Sequence, residues 1–594
     1  MKPTLVFDLE IYRDYFLAMF CNVATGNTRA FELFEDHPLD MDRIRTILKE
    51  STLVSFNGNN FDLPLLSLAL TGADNQTIKD ASDAIILNNL RGFALERKFK
   101  FQTMTDVDHI DLIEVAPGMV SLKIYGGRLH CKTMQDLPID PGTSISGADR
   151  ELLKAYCAND LEITRTLYQA LKPQIELRAQ MGKTYGLDLR SKSDAQIAET
   201  VIRNQVKAIT GVMPDRPIIE GGTHYRYCAP DYIRFSSALL KSALKTLQAA
   251  QFRVIDSGKV IEPDEIKNAK VAIGASVYRM GIGGLHSTES STSHLADENT
   301  LLIDRDVASY YPSIILGSSL APVHMGEPFL RVYRDIVEQR LAAKRAGDKV
   351  KADALKITIN GSFGKFGSKW SALYSPDLLI QTTLTGQLAL LMLIEALEAA
   401  GIAVVSANTD GVVIKCPVSK QEVMDDIVFE WEAITGFNTE ATHYRALYSR
   451  DVNNYLAFKL GGGIKAKGAY ASAGLSKNPS NEICTDAVVA YLKDGTAIED
   501  TIHACWDICR FVTIRSVKGG AIDQQGRYLG KAVRWYYSTA VQGPLRYQLN
   551  HYTVARSDAA QALMVLPDTF PCDVDFDLYV AEARSILKDI GVSS

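Results

Sequence analysis

Hydrophobic and polar positions in the first 180 residues follow two alternating periods. Short runs rich in β-branched and aromatic residues predict strands at residues 4–8, 15–21 and 53–56. Longer stretches with apolar residues three and four apart predict helices at residues 41–50, 148–170 and 194–209. Strands that alternate with helices indicate an α/β domain in this part of the chain.

The pattern changes after this domain. Residues 185–300 give few signals, and the polar run at 287–300 predicts a loop. A strand at 300–303 opens a second α/β region that reaches about residue 470, and the remainder is helical and mixed. The most apolar stretch, 388–405, contains Glu395, Glu398 and a break at Gly401. It therefore predicts a core helix followed by a strand, and no membrane span.

Composition narrows the class of protein. With 594 residues, 46% of them hydrophobic and 23% charged, the chain is typical of a soluble globular protein of several domains. A net charge of −6 excludes nucleic-acid binding by bulk charge but leaves room for a local basic groove. Nine cysteines without a C-x-x-C pair and an N-terminus without a secretory signal predict reduced thiols and a cytoplasmic location.

Five residues in the first domain have the chemistry of a metal site. Asp8 and Glu10 lie two apart at a strand end, on one face and about 7 Å apart along the strand, a spacing that suits two shared metal ions. Asp62 follows the strand 53–56, and Tyr156 and Asp160 lie four apart on one helix face. Such oxygen ligands suit Mg²⁺ or Mn²⁺, and the phenol could orient an attacking water. Each residue alone is more typical of a solvated strand end, a surface charge or a half-buried ring.

A second set of polar residues begins at Asp306, which follows the strand 301–303 and precedes a sharp turn at Pro312. Backbone N–H groups in such a turn can bind phosphates. Asp410 lies in the tight turn of a hairpin pattern over 404–414. Two helix faces carry polar pairs four residues apart that could bind a triphosphate. These pairs are Arg340 with Lys344 and Lys356 with Asn360.

The first set, in its order along the chain, resembles the three motifs of the DEDD 3′–5′ exonucleases with Tyr in the third motif. The resemblance implies an RNase H-like fold in which four acids hold two metals that activate water against a terminal phosphodiester. These acids are Asp8, Glu10, Asp62 and Asp160. Asn57 occupies the position that touches the single-stranded primer end. Lys132 is a candidate for a phosphate contact, with an ordinary surface lysine as the alternative.

The second set resembles motifs A, B and C of the family B DNA polymerases. Residues 306–313 match D-x-x-S-L-Y-P-S except at Tyr310, and residues 356–364 match K-x-x-x-N-S-x-Y-G except at Gly361 and Phe363. Thr409 and Asp410 match D-T-D-S, whereas Asn408 and Gly411 depart from it. Asn408 stands where the family has an acid, and the family does not chiefly use that acid as a direct metal ligand.

The polymerase resemblance implies roles for individual residues. Asp306 and Asp410, with Val307, would hold two catalytic metals, and both acids are expected to be buried. The bound nucleotide would contact Arg340, Lys344, Lys356, Asn360, Tyr311, Val307 and Ser309, with Tyr311 excluding a ribose 2′-OH. DNA would contact Asn57, Gly283, Gly284, Tyr455, Lys465, Lys467 and Phe363. For the two glycines a simple Gly-rich turn is an equal alternative.

Residues 510–556 have a local net charge of +7 among interleaved tyrosines. Such a stretch suits a clamp on the duplex backbone, with a solvated face as the alternative. The basic residues are Arg510, Arg515, Lys518, Arg527, Lys531, Arg534, Arg546 and Arg556.

The whole pattern predicts a multidomain α/β and α+β protein of the small bacteriophage type. Residues 1–185 would form the RNase H-like exonuclease domain, and 186–329 a linker and the start of the palm with motif A. Residues 330–367 would form the fingers with motif B, 368–470 the palm with motif C, and 471–594 the thumb and C-terminal segment. Only 54 residues separate Asp306 from Asn360, room for a minimal two-helix fingers hairpin. The chain starts almost at the first exonuclease motif, so a large N-terminal domain is expected to be absent.

The expected activity is primer extension with dNTPs and 3′–5′ proofreading, with two Mg²⁺ (or Mn²⁺) per active site. Expected partners are primer–template DNA, dNTPs and other replication proteins, for a monomer without membrane contact, in the host bacterial cytoplasm if a phage encodes it. One alternative is a DEDD exonuclease whose degenerate polymerase half binds DNA, motivated by Asn408 and the absence of lysines just before Tyr455. Others are a non-enzymatic replication scaffold and an RNA-synthesising enzyme, which Tyr311 disfavours.

Overall fold

The computed structural model describes residues 2–267 and 269–592. They divide into two compact units. The first unit combines residues up to Ser193 with Ser472–Glu582, and the second combines Asp194–Ala471 with the residues from Ala583 onward. The segment after residue 471 therefore belongs largely to the same unit as the N-terminal segment.

The N-terminal segment of the first unit is built on a five-stranded sheet in the order β3-β2-β1-β4-β5. Its strands are β1 (Thr4–Ile11), β2 (Phe16–Asn22), β3 (Thr28–Leu33), β4 (Thr52–Ser55) and β5 (His109–Asp111). Its helices are α1 (Met41–Glu50), α2 (Asp62–Ala69), α3 (Asn75–Asn88), α4 (Phe93–Phe99), α5 (Leu122–Arg128) and α6 (Gly147–Tyr185). β1 runs antiparallel to β2 and parallel to β4.

Both faces of β1 are covered. Phe7 and Leu9 pack into one hydrophobic cluster with residues of α1 to α4, and Val6 packs into another with residues of α6. Because side chains alternate along a strand, Asp8 and Glu10 share the face of Val6. The hydrophobic pattern of β1 therefore directs both acids toward α6.

The second unit contains a ten-stranded sheet whose main path is β18-β17-β16-β13-β15-β14-β11-β10-β9, with β12 paired to β16, and a small sheet β6-β7-β8. Its helices are α7 (Asp194–Thr210), α8 (Ala238–Ala249), α9 (Asp264–Lys267), α10 (Tyr310–Gly317), α11 (Gly326–Arg345), α12 (Lys349–Phe366), α13 (Pro376–Ala399) and α14 (Gln421–Thr435). Its first strands are β6 (His224–Tyr225), β7 (Phe252–Val254), β8 (Val260–Ile261), β9 (Lys270–Ile273), β10 (Ser276–Arg279), β11 (His286–Ser287) and β12 (Thr292–Leu295). The remaining strands are β13 (Thr300–Val307), β14 (Ala403–Asn408), β15 (Gly411–Pro417), β16 (Thr439–Asp451), β17 (Asn454–Lys459) and β18 (Ile464–Ala466).

Helix α13 is the central core element of this sheet. It is apolar around most of its circumference, and residues of α13 and of β13 to β15 share one hydrophobic cluster. By length and composition α13 could cross a membrane, but 83% of its apolar window is buried inside the protein. The predicted core helix followed by a strand is therefore confirmed.

The predicted loop over 287–300 is wrong in part, because Thr292–Leu295 forms β12. This strand pairs antiparallel with β16, from Thr292 opposite Ser449 to Leu295 opposite Ala446. Its residues are too polar to predict a strand, and the partner strand supplies the hydrogen bonds that decide its conformation.

The C-terminal segment adds a four-stranded sheet in the order β21-β19-β20-β22. Its helices are α15 (Glu482–Asp494), α16 (Ile498–Ala504) and α17 (Phe576–Asp589). Its strands are β19 (Thr513–Ile522), β20 (Tyr528–Tyr537), β21 (Arg546–Tyr547) and β22 (Ala560–Ala562). The sequence predicts a helical and mixed segment here, and the structure has three helices together with this sheet.

Candidate active site in each structural unit

The first candidate site lies in the first unit, where β1, α2 and α6 meet. Asp8 and Glu10 come from β1, Asp62 is the first residue of α2, and Tyr156 and Asp160 project from α6. Ligand atoms of Asp8, Glu10 and Cys157 all lie within 4.8 Å of one another. Glu10 feels the charges of Asp8, Asp160 and Asp62, and Tyr156 feels those of Asp160, Glu10 and Asp8. The structure thus brings together all five residues that the sequence singled out in this domain.

Burial and mutual repulsion dominate the electrostatics of this cluster. Burial, and next the charge of Asp160, raises the pKa of Asp8 to about 7. Burial, and next the charge of Asp8, raises the pKa of Glu10 and of Asp62 well above their usual ranges. Acids that repel one another in this way need a cation to be ionised together.

The donor set fits a hard divalent cation. One carboxylate oxygen of Asp62, Oδ1, is buried and has no hydrogen-bond partner, a cost that a metal bond would remove. Burial raises the pKa of the Cys157 thiol well above its usual range, so this group stays protonated. The carboxylate oxygen atoms would therefore be the ligands of a bound cation, a donor set that suits Mg²⁺ or Mn²⁺.

Lys123 is a site residue that the sequence reasoning missed. Its ammonium, on α5, forms an ion pair with Asp160 and lies 4.2 Å from the centre of the Tyr156 ring. Its charge also lowers the pKa of Asp8 and Glu10, against the larger effect of burial. By contrast Lys132, the lysine suggested by the resemblance, is exposed and pairs with Asp568.

Residues of β5 form hydrogen bonds that hold the loop between β4 and α2 in place. Asp111 accepts hydrogen bonds from the backbone N–H of Asn57 (2.7 Å) and of Asn59 (2.9 Å). His109 contacts Ser55 and Asn59 through its two ring nitrogens, at 2.8 and 3.1 Å. These contacts fix Asn57 in a left-handed conformation (φ 69°) just before Asp62. No local sequence pattern predicts this role for Asp111. The parallel pairing of β4 and β5 places Asp111 beside the loop.

The second candidate site lies in the second unit, at one end of β13. Asp306 on β13 pairs with Gly411 on β15, directly beside the β14–β15 turn that holds Asp410. The backbone N–H of Val307 donates to the carbonyl oxygen of Asp410 at 2.7 Å. Strand pairing therefore places the two acids side by side, and both line one cavity of about 790 Å³.

The expectation that both acids are buried is wrong. Asp306 and Asp410 are exposed toward the cavity, because one ends its strand and the other lies in a turn. Partial burial of the carboxylate, and next the charge of Asp304, still raises the pKa of Asp306. Burial likewise raises the pKa of Asp410, against the opposing charges of Lys467 and Lys465.

Helices α11 and α12 supply cations to the same cavity. Arg340, Lys344 and Lys356 all line it, and Lys349, which the sequence analysis did not select, joins them. Arg340 donates to the hydroxyl of Ser309 at 2.6 Å, and Lys344 pairs with Glu440 at 2.7 Å.

Asn360 does not join this set. Among the residues that the structure describes, it is exposed on α12 one turn beyond Lys356 and is not part of the cavity lining.

Motif B packs against motif A through aromatic rings. Tyr311 and Phe363 stack with ring centres 4.1 Å apart. The departure at Gly361 has a steric reason, because a Cβ there would collide with the backbone carbonyl of Asp194 at the start of α7.

The glycines at 283 and 284 support the hairpin turn. A Cβ on Gly284 would lie only 2.7 Å from the Cα of Thr409, and the N–H of Thr409 donates to the carbonyl oxygen of Leu285 at 2.8 Å. The carbonyl oxygen of Gly283 accepts from Gln387 at 2.8 Å. Close packing against the turn of Asp410 therefore explains Gly284, and contact with DNA remains a prediction for both glycines.

Residues of β17 and β18 complete the surroundings of the acids. Lys465 contacts Asp304 at 2.9 Å and Asp306 at 3.6 Å. Lys467 lies 5.9 Å from the centre of the Tyr455 ring. All three residues predicted to bind DNA in this segment thus lie at the second site.

The basic stretch 510–556 is not one exposed surface. Arg534 is fully buried and donates to the carbonyl oxygens of Leu563 and Cys131, and burial lowers its pKa to about 10. Arg510 pairs with Glu482, and similar local partners hold Arg527, Arg515 and Arg546. The structure therefore removes Arg534 from any DNA-facing surface, and a duplex clamp formed by the other basic residues stays a prediction. Five of the eight basic residues are exposed, namely Lys518, Arg527, Lys531, Arg546 and Arg556.

Comparison with known proteins found a related sequence and solved structures that align with the chain. No family model matches the chain. A protein named DNA polymerase 1, from the archaeon Aeropyrum pernix, is 24% identical over 477 residues, which are 73% of this chain and 44% of that protein. The chain therefore spans less than half the length of this relative. A family B DNA polymerase structure from the archaeon Pyrobaculum calidifontis aligns over 100% of this chain and 78% of its own, at 15% identity and a TM-score of 0.41.

Proposed function

We propose that this chain is a DNA-directed DNA polymerase of family B with a 3′–5′ exonuclease activity. The observation that carries the proposal is the strand register that sets Asp306 beside the turn of Asp410, at a cavity lined by four cations from α11 and α12. Two exposed acids facing a cationic cavity match the needs of nucleotidyl transfer from a triphosphate. The aligned relative is a DNA polymerase, in keeping with this assignment.

Each residue has a defined task in this proposal. Arg340, Lys344 and Lys356 bind the triphosphate of the incoming dNTP, Arg340 by paired hydrogen bonds and the lysines as point charges. Asp306 and Asp410 would hold two divalent cations, and such ions activate the primer 3′-OH and neutralise charge on the leaving pyrophosphate. Tyr311, held by its stack on Phe363, narrows the sugar site and excludes a 2′-OH.

The first site is proposed to remove mispaired primer ends. Asp8, Glu10, Asp62 and Asp160 would hold the cations there, and Tyr156 and Lys123 would orient the water and the terminal phosphate. A mispaired end reaches this site readily because fraying costs it little pairing and stacking. The finer assignments belong to the same proposal: an RNase H-like domain, a palm with short fingers and a thumb, Mg²⁺ as the ion, and primer–template DNA as the partner.

Primer extension tests the proposal. The purified chain, Mg²⁺ and four dNTPs should extend a labelled primer on a single-stranded template, and without dNTPs they should degrade it from the 3′ end. Asp410→Ala should abolish extension and keep degradation, whereas Asp8→Ala should do the reverse. Extension by Asp410→Ala at the native rate would refute the assignment of the second site, and degradation without any extension by the native chain would favour the exonuclease alternative.

A further inference from the structure

A third acid lies beside the two predicted polymerase acids. Asp304 precedes Asp306 by two residues on β13, so both side chains point to the same face of the sheet. Unlike Asp306, Asp304 is buried, with 5% of its surface exposed. A buried carboxylate is stable only with strong partners.

Asp304 has two such partners. One carboxylate oxygen, Oδ2, accepts a hydrogen bond from the hydroxyl of Tyr444 and another from the ammonium of Lys465 at 2.9 Å. Lys465 is thereby held 3.6 Å from Oδ2 of Asp306, beyond direct hydrogen-bond length.

Motif C has Asn408 where the family pattern has an acid, and Asp304 supplies a carboxylate to the same part of the site. The amide of Asn408 donates to the carbonyl oxygen of Val452 at 2.9 Å and thereby braces the turn between β16 and β17. Asp304 and Asn408 nevertheless line the same small cleft as Asp306 and Asp410. This cleft therefore has three acids, with the third supplied by β13 and not by motif C.

We propose that Asp304 is a positioning residue of the polymerase site, which ties Lys465 to itself and so keeps the carboxylate of Asp306 open to a divalent cation. Without Asp304, the ammonium of Lys465 has Asp306 as its nearest carboxylate and competes with the cation for the same oxygen. This inference rests on the proposed function, because it gives Asp306 the task of binding metal.

Mn²⁺ binding tests the inference without turnover. Binding is followed by electron paramagnetic resonance on the full-length chain in an Asp8→Asn background, which weakens binding at the first site. Asp304→Asn keeps the shape of the side chain and removes its charge, so it should raise the Kd for Mn²⁺ about tenfold, the effect of one charged hydrogen bond. Adding Lys465→Met should return the Kd to within about twofold of the parent value, because the competing cation is gone.

A matched control comes from the same strand. Asp425 pairs with Arg305, which lies between Asp304 and Asp306 and points to the opposite face. Asp425→Asn removes an acid paired to β13 and should leave Mn²⁺ binding unchanged. If the role of Asp304 were merely structural, Asp304→Asn would lower the melting temperature, and adding Lys465→Met would not restore Mn²⁺ binding.

Two results overturn the inference: an unchanged Kd in folded Asp304→Asn, or a double variant that binds Mn²⁺ no better than Asp304→Asn. If Asp304→Asn does not fold, Lys465→Met alone decides the question. It should bind Mn²⁺ at least as tightly as the parent, and weaker binding refutes the proposal. Primer extension by the native chain, measured separately, tests the polymerase function itself.

Discussion

Replacing Asp8 by Asn is expected to stabilise the metal-free protein at alkaline pH, although Asp8 belongs to the first candidate site. Burial, and next the charge of Asp160, raises the pKa of Asp8 from 3.8 to about 7. The folded state therefore binds this proton more tightly than the unfolded state, and the free energy of unfolding falls as pH rises from about 4 to 7. Asparagine is neutral throughout this range and does not lose this stability.

The size of the effect follows from that difference in pKa. At about 1.4 kcal/mol per pH unit, the ionised Asp8 costs at most about 4 kcal/mol at pH 8. Asp8 retains some contact with solvent, so we expect about 1–3 kcal/mol, or an increase in melting temperature of about 3–8 °C. The charge of Asp8 also raises the pKa of Glu10 and Asp62, so its removal relieves both.

Thermal unfolding in EDTA, followed by circular dichroism at pH 4.5 and pH 8, measures this effect. Asp8→Asn should melt higher than the native protein at pH 8, and the difference should be several times smaller at pH 4.5. Mg²⁺ should close the gap at pH 8 by stabilising the native protein more. Asp42, whose side chain is 98% exposed in the same unit, provides the control, because Asp42→Asn should show no such pH dependence. An equal shift at both pH values, or none at pH 8, would show that burial and the charge of Asp160 do not raise the pKa of Asp8 as described.

Three further outcomes are expected. Lys123→Ala should slow 3′ degradation of a primer about tenfold to a hundredfold, whereas Lys132→Ala should change the degradation rate by no more than about twofold. The opposite ranking of the two rates would contradict the assignment of Lys123. Gly361→Ser restores the residue typical of motif B but clashes with the start of α7, so it should destabilise the protein by about 1–3 kcal/mol in urea unfolding, and a neutral result would argue against that contact. Tyr311→Ala should raise the rNTP-to-dNTP incorporation ratio at least tenfold in single-nucleotide extension, and an unchanged ratio would remove Tyr311 from the sugar site.

Much of the local structure follows from the sequence. The strand at 4–8 and the helices at 41–50 and 194–209 were predictable because their hydrophobic periods are strong and each is bounded by polar or turn residues. The same holds for the hairpin around Asp410 and the core helix before residue 400. The polar β12 was not predictable, because only its pairing with β16 gives it a strand conformation.

The candidate sites divide in the same way. The sequence by itself determined that Asp62 follows a strand and that Asp410 lies in a hairpin turn, because backbone geometry over a few residues sets those positions. It placed Asp8 at a strand end, whereas β1 runs on to Ile11 and holds Asp8 in its interior. Tertiary structure alone decided that Lys123 reaches Asp160, that Arg534 is buried, and that Asp304 holds Lys465. Such contacts join residues far apart in the chain, and their energies depend on burial and on the charges nearby, which no local pattern records.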